Sequence, residues 1–135
     1  MADLTPTVAS ILAAAGSSIG TGTSGATITQ GQAIYLDTST NTYKLADDGA
    51  ASTALVAGIA LNIASASQPI DFIKAGTLTF GSATTTAGAP YFLSTTAGDL
   101  MDTIPASGNQ SVLIAIGLTT STMQVGINNS QVAIP

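Results

Sequence analysis

The fold is decided by the stretch GQAIYLDTSTNTYKLA at residues 31–46 together with ALVAGIAL at residues 54–61. Strand-like residues fill 33–37 and 42–46, and the short polar turn between them is typical of a β-hairpin. Residues 54–61 are almost continuously apolar, which is typical of a strand buried on both faces. The stretch therefore predicts a hairpin followed by a buried strand.

The same pattern returns between Gly88 and Leu118, so the period is roughly 57 residues. A further strand-like run follows each copy, at residues 69–73 and 122–127. We align the copies by pairing Ile34–Leu36 with Tyr91–Leu93, Lys44–Ala46 with Asp99–Met101, and Gly58 with Gly117. Two copies are too few for a solenoid. We therefore predict an all-β fold, a small antiparallel β-barrel or sandwich built from a diverged internal duplication.

The apolar residues of the two copies form the predicted core. We expect twelve large side chains inside: Ile34, Leu36, Leu45, Val56, Ile59, Leu61, Tyr91, Leu93, Leu100, Leu113, Ile116 and Leu118. Trp is absent, and Phe and Tyr number three each, so the core is poor in large side chains. We expect self-association, as a homotrimer, to add stability.

Residues 1–25 are interpreted as an N-terminal arm or linker that packs outside a β domain at residues 26–135. Val8, Ile11, Leu12 and Ala15 have helical spacing, so a short helical turn and an extended arm both remain open. The apolar residues of the arm and of the C-terminal tail are candidate interface residues, because exposed apolar runs mark interaction surfaces. These are Leu4, Val8, Ile11, Leu12, Ile19, Val132 and Ile134.

The charge balance excludes several partners. The net charge is −5, and Lys44 and Lys74 are the only basic side chains. Without a basic patch the chain has no means of neutralising nucleic-acid phosphates or binding an anionic membrane surface, so neither is an expected partner.

The absence of cysteine excludes disulfides and thiolate metal sites. The N-terminus also lacks the basic region of a secretory signal.

Four local patterns suggest chemistry, and each has a simpler interpretation. Gly20, Gly22 and Gly25 match a dinucleotide pattern, but a strand-like run follows them where a helix is required. Ser18 matches a nucleophile pattern, but the chain has no His to act as its base. Five aromatic residues suit core or intersubunit packing better than ligand stacking: Tyr35, Tyr43, Phe72, Tyr91 and Phe92.

The turn acids form the fourth pattern. Asp47, Asp48, Asp99 and Asp102 lie at similar places in the two copies. We favour solvated turn acids, and a weak structural calcium site stays open. We expect no enzyme activity and no cofactor, and we assign no catalytic, cofactor-binding or metal residue.

Several segments resemble the small head-decoration (cement) proteins of tailed bacteriophages: GATITQGQAIYLD (25–37), YKLAD (43–47), VAGIAL (56–61), YFLS (91–94) and IGL (116–118). The likeness runs from about residue 20 to the end. It implies a β-barrel-like domain, often trimeric, that binds the major capsid protein on the virion surface. The lack of a targeting signal adds the expectation that the protein is made and assembled in the host cytoplasm. The alternative is a tail-fibre or adhesin module that binds a host surface. A chain that begins with Met1 and ends just after its last strand favours decoration.

Overall fold

The computed structural model describes residues 3–4, 11–81 and 85–135, and every regular element among them is a β-strand. The strands form one antiparallel sheet that curls into a half-barrel, which confirms the predicted all-β fold. The strands are β1 (Leu12–Ala13), β2 (Ser18–Thr23), β3 (Ala33–Asp37), β4 (Thr42–Leu45), β5 (Val56–Ala60), β6 (Pro69–Thr79), β7 (Pro90–Leu93), β8 (Leu100–Met101), β9 (Gln110–Gly117) and β10 (Thr122–Ala133).

The two sequence copies fold into the same three-stranded unit. β3 pairs with β4 and β5, and β7 pairs with β8 and β9 in the same antiparallel sense. A register shift interrupts each unit at the same point, between Ile34 and Tyr35 in the first and between Tyr91 and Phe92 in the second. A shared irregularity of this kind supports an internal duplication, because bulges are positioned features of a fold.

The register corrects our alignment of the copies. Tyr35 faces Lys44 as Phe92 faces Met101, so Lys44 corresponds to Met101 and not to Asp99. Ile59 likewise corresponds to Ile116, because Ile59 faces Ala33 and Ile116 faces Pro90, the equivalent residue of the second unit. Gly117 therefore matches Ala60, which lies two residues beyond Gly58, the residue that we had paired with it. Small residues occur at both positions, so residue type alone gave a misleading match.

A glycine turn begins each unit. Gly31 and Gly88 have φ angles of 88° and 81°, in the left-handed region that glycine adopts without strain. The N–H of Gly31 donates to the carbonyl oxygen of Ala60 (2.9 Å), and that of Gly88 donates to Gly117 (2.8 Å). The two turns therefore fasten the start of each unit to its long apolar strand.

β6 connects the two units. Phe72 pairs with both β2 and β5, whereas Ala75 pairs with both β2 and β10. Because a sheet residue has one neighbour on each side, β2 lies along one edge of β6. β5 and then β10 lie along the other edge. The first half of β6 thus belongs to the first unit and its second half to the second unit.

The N-terminal residues cover the outermost strands. Asp3 forms a bridge with Met101 of β8, and the N–H of Leu4 donates to the carbonyl oxygen of Leu100 (2.7 Å). At the other unit, Ser24 forms a bridge with Tyr43 of β4. Such contacts satisfy strand edges that would otherwise pair with other chains.

The expectation of an arm packed outside the main domain is therefore wrong for the described residues 3–4 and 11–25. β1 and β2 are strands of the sheet, hydrogen-bonded to β6. Leu12 and Ala13 are extended, which leaves the helical alternative without support at these residues. The long β6 has an edge that no later strand fills, and the N-terminal chain supplies its backbone partners.

The core has two adjoining parts. The smaller lies in the first unit and contains Ile28, Ile34, Ala60, Ala64, Ile70 and Phe72. The larger extends through the second unit and includes Leu4, Ile11, Phe80, Leu93 and Met123. Six of the predicted core residues are buried: Ile34, Val56, Ile59, Tyr91, Leu93 and Leu100. Leu45, Leu61 and Leu113 are half-buried.

Three predicted core residues are exposed, so those predictions are wrong: Leu36, Ile116 and Leu118. We had expected Leu113, Ile116 and Leu118 of the second long apolar run to lie inside. The register shift between Leu113 and Ala115 lets two consecutive residues, Ile114 and Ala115, both be buried, so the alternation that follows it places Ile116 on the opposite, exposed side. Ile116 therefore faces outward between the buried neighbours Ala115 and Gly117.

Candidate interaction surface

The outer side of the second unit carries two neighbouring rows of uncharged side chains. In the first row Leu12 lies opposite Thr79, and Thr79 lies opposite Thr122. Leu118 continues that row, because its N–H donates to the carbonyl oxygen of Thr122 (2.9 Å). Leu12 and Leu118 are 67% and 45% exposed, although both are large and apolar.

The second row runs parallel to the first, two residues further along each strand. Thr77 lies opposite Gln124, Gln124 opposite Ile116, and Ile116 opposite Pro90. Ile116 is 43% exposed. The residues between the rows point inward, as the burial of Leu78 and Met123 shows. The two rows therefore share one side of the sheet. We call this surface the outer face: Leu12, Thr77, Thr79, Pro90, Ile116, Leu118, Thr122 and Gln124.

The outer face contains none of the nine charged residues of the chain. Its polar atoms belong to threonine hydroxyls and one glutamine amide, and Thr77 donates to Gln124 across the strands (3.4 Å). These side chains lie on hydrogen-bonded strands and carry no charge. A protein partner can therefore cover the outer face without burying an ion.

The structure separates the predicted interface residues into three groups. Leu4 and Ile11 are buried in the core, so they are not available to a partner, and that part of the prediction is corrected. Leu12, Ile19 and Val132 are exposed, and Leu12 lies on the outer face. Ile134 is half-buried, with its N–H donating to Asn109 (2.8 Å), and Val8 lies outside the described residues.

Sequence reasoning missed Ile116 and Leu118 as surface residues because it placed them in the core. The signal that identifies them is the register. Ile116 lies on β9, and Leu118 is two residues further along, just after the end of that strand. On the neighbouring β10, Ile116 faces Gln124 and Leu118 lies beside Thr122. A polar partner strand indicates a solvent-facing side, but the pairing of β9 with β10 had to be known first.

A groove lies beside β3 in the first unit. Its volume is about 360 Å³, and it is lined by Tyr35, Leu36, Asp37, Thr38, Ser52 and Leu55. The ammonium of Lys44 donates to Asp37 Oδ2 (2.8 Å), and Ser39 donates to Asp37 Oδ1 (2.7 Å). These hydrogen bonds hold the pKa of the Asp37 carboxyl well below its ordinary range. The carboxylate is thus engaged within the chain, and the groove presents chiefly apolar and hydroxyl groups.

The glycines of the dinucleotide pattern have a packing role. A Cβ added at Gly20 would lie 2.4 Å from Phe72 Cε2, and one at Gly22 would lie 2.3 Å from Tyr43 Cε2. The two rings pack together with centroids 4.8 Å apart. β2 therefore needs glycine so that its backbone can approach these aromatic side chains. Ser18, of the nucleophile pattern, is exposed at the start of the same strand.

The turn acids differ in environment. Asp102 is exposed, whereas Asp48 is fully buried, so the prediction of a solvated acid is wrong at Asp48. Burial also raises the pKa of Asp99, and the carboxylate of Asp3 adds to the rise. Within residues 3–4, 11–81 and 85–135, no group of three His, Cys, Asp or Glu side chains is arranged to hold a metal ion.

No protein-family model matches this chain, and a search of curated proteins finds no match. Over the part of the chain that the structure describes, no helix has the length and apolar character needed to cross a membrane.

Proposed function

We propose that this chain is a structural virion protein that decorates and stabilises the icosahedral capsid of a tailed phage by binding the major capsid protein. The observation that carries the proposal is the outer face, an uncharged apolar and threonine surface on hydrogen-bonded strands. The resemblance of residues from about 20 onward to head-decoration proteins supports the same assignment. In this proposal the outer face is seated on the shell.

The physical properties of the outer face suit a cementing contact. Its residues are held by paired strands, so binding orders little additional chain and loses little conformational entropy. Because it lacks charges, attachment should depend only modestly on salt. A homotrimer would present three such faces to a repeating lattice, and linked weak contacts then combine into strong attachment.

A tail-fibre or adhesin module is the second candidate function. The groove beside Tyr35 and Leu36 favours it, because a concave site with an aromatic ring and hydroxyl groups suits a host-surface ligand. The acid that lines the groove, Asp37, is already engaged by Lys44. We therefore rank decoration first.

The test is to add the full chain to undecorated capsids and measure bound protein after sedimentation. Ile116→Asp places a charge in the middle of the outer face, and Ile63→Asp makes the same change at an exposed loop position outside it. We expect Ile116→Asp to bind at least tenfold more weakly, because an unpaired carboxylate would be buried against the shell. Ile63→Asp should bind like the parent chain.

Sedimentation velocity of the free protein tests the proposed homotrimer in the same preparations. Unchanged occupancy by a folded Ile116→Asp variant would exclude the outer face as the capsid-binding surface. Failure of the parent chain to bind capsids at all would refute the decoration function itself.

A further inference from the structure

Asp48 lies in the loop between β4 and β5, where the first unit contacts the second. Its N–H donates to the carbonyl oxygen of Ser94 (3.1 Å), and its own carbonyl oxygen accepts the N–H of Gln110 (2.8 Å). Ser94 follows β7, and Gln110 begins β9. The loop after β4 is therefore fastened on both sides by backbone of the second unit, with the Asp48 side chain fully buried.

The buried carboxylate lacks hydrogen-bond partners. Neither oxygen of Asp48 accepts a hydrogen bond, and the buried Oε1 of the adjacent Gln110 accepts none. Burial raises the pKa of the Asp48 carboxyl, and the charge of Asp47 adds to the rise. The side chain of Thr95, the N–H of Asp48 itself and the side chain of Asn109 lie near the carboxyl and favour its ionised form, but none of them reaches it with the distance and angle of a hydrogen bond.

Neighbouring ionic groups do not neutralise Asp48. The carboxylate of Asp47 accepts from Gly49 N–H (3.0 Å) and Thr53 Oγ1 (3.0 Å), so it contributes negative charge only. Of the two cations, Lys44 pairs with Asp37, and Lys74 is exposed on β6. A buried carboxylate without a partner destabilises the fold, so a cation bound beside it would be stabilising.

The unsatisfied atoms are all oxygens, which identifies the chemistry of the missing partner. A bidentate carboxylate and an amide oxygen are ligands that Ca²⁺ takes, with carbonyl oxygens and water completing its six to eight ligands. We infer that Asp48 and Gln110 form a calcium site that fastens the first unit to the second. With a single carboxylate the site is weak, in the range of about 10⁻⁴–10⁻³ M for sites of low charge.

The first experiment is thermal unfolding of the full chain at pH 7.5 with chelator, with calcium at about ten times its Kd, and with magnesium. A ligand at that concentration lowers the unfolding constant about tenfold, which corresponds to a rise in Tm of a few degrees. Asp48→Asn keeps the shape and removes the charge, and it should abolish the calcium effect. Asp102→Asn, at an exposed turn acid, should retain it.

The second experiment measures calcium binding directly by equilibrium dialysis, which stays informative if a variant is destabilised. We expect one calcium ion per chain, lost in Asp48→Asn and weakened in Gln110→Ala. An unchanged Tm together with no bound calcium would overturn the inference. In that case a Tm that falls as pH rises from 4 to 8 would identify the proton as the partner of Asp48, because stability is lost as the pH passes the raised pKa. Both experiments use the chain without capsids, so the test of the calcium site does not depend on whether the chain binds a capsid.

Discussion

Leu36 and Leu93 occupy the same position in the two units, so they form a matched pair for testing how burial sets stability. Leu36 pairs with Tyr43, and Leu93 pairs with Leu100 in the equivalent register. Leu36 is 37% exposed, whereas Leu93 is 0% exposed. Truncation of each residue to alanine removes the same atoms from the same strand position, so only the surroundings differ.

The magnitudes follow from the exposed fractions. Leucine to alanine removes three carbons, worth about 2.4 kcal/mol at about 0.8 kcal/mol for each buried methylene. Leu93→Ala also leaves a cavity, which places its expected loss at about 3–4 kcal/mol, within the range of about 2–5 kcal/mol for buried sites. At Leu36 about two thirds of the transfer term applies and water fills the space, so the expected loss is about 1.5 kcal/mol at most.

Urea unfolding followed by far-ultraviolet circular dichroism and tyrosine fluorescence measures both losses. With a slope of about 1.5 kcal/mol per molar urea, the midpoint should fall by about 2 M for Leu93→Ala and by about 1 M or less for Leu36→Ala. Equal losses, or a larger loss at Leu36, would show that the burial difference between the two units is incorrect.

Two further predictions concern a glycine and an ion pair. Gly117→Ala should destabilise the fold by at least about 1 kcal/mol, because its Cβ would lie 2.0 Å from the backbone oxygen of Thr86. Gly126→Ala is the control and should change the urea midpoint little, because a Cβ there would have no atom within 4 Å. Similar midpoints for the two variants would contradict the close approach at Gly117. The lowered pKa of Asp37 contributes stability above about pH 4, and this stability is lost as the pH falls toward 2. Lys44→Gln should therefore make the urea midpoint slightly less sensitive to acid. An unaltered pH profile would show that the Asp37–Lys44 ion pair adds no stability.

The existence and approximate position of the strands were readable from residue order. Alternating and continuous apolar runs bounded by small polar turns are local signals, and they placed β3, β5, β7 and β9 correctly. The duplication was visible for the same reason. Gly31 and Gly88 marked its two starts, because a left-handed turn requires glycine at that point in each unit.

The exposed faces, the exact alignment of the copies and the role of the N-terminal residues were decided by tertiary structure. Ile116 is as apolar as a core residue, and it is exposed because none of the segments that the structure describes covers that side of β9. Leu4 and Ile11 looked like free apolar residues, and they are buried because the outer strands and β6 had edges left to pair. Asp48 has the sequence context of a solvated turn acid, but it is buried because the backbone at Ser94 and Gln110 packs against it. In each case the deciding contact joins residues far apart in the chain, and local periodicity carries no information about which distant segment will cover a given face.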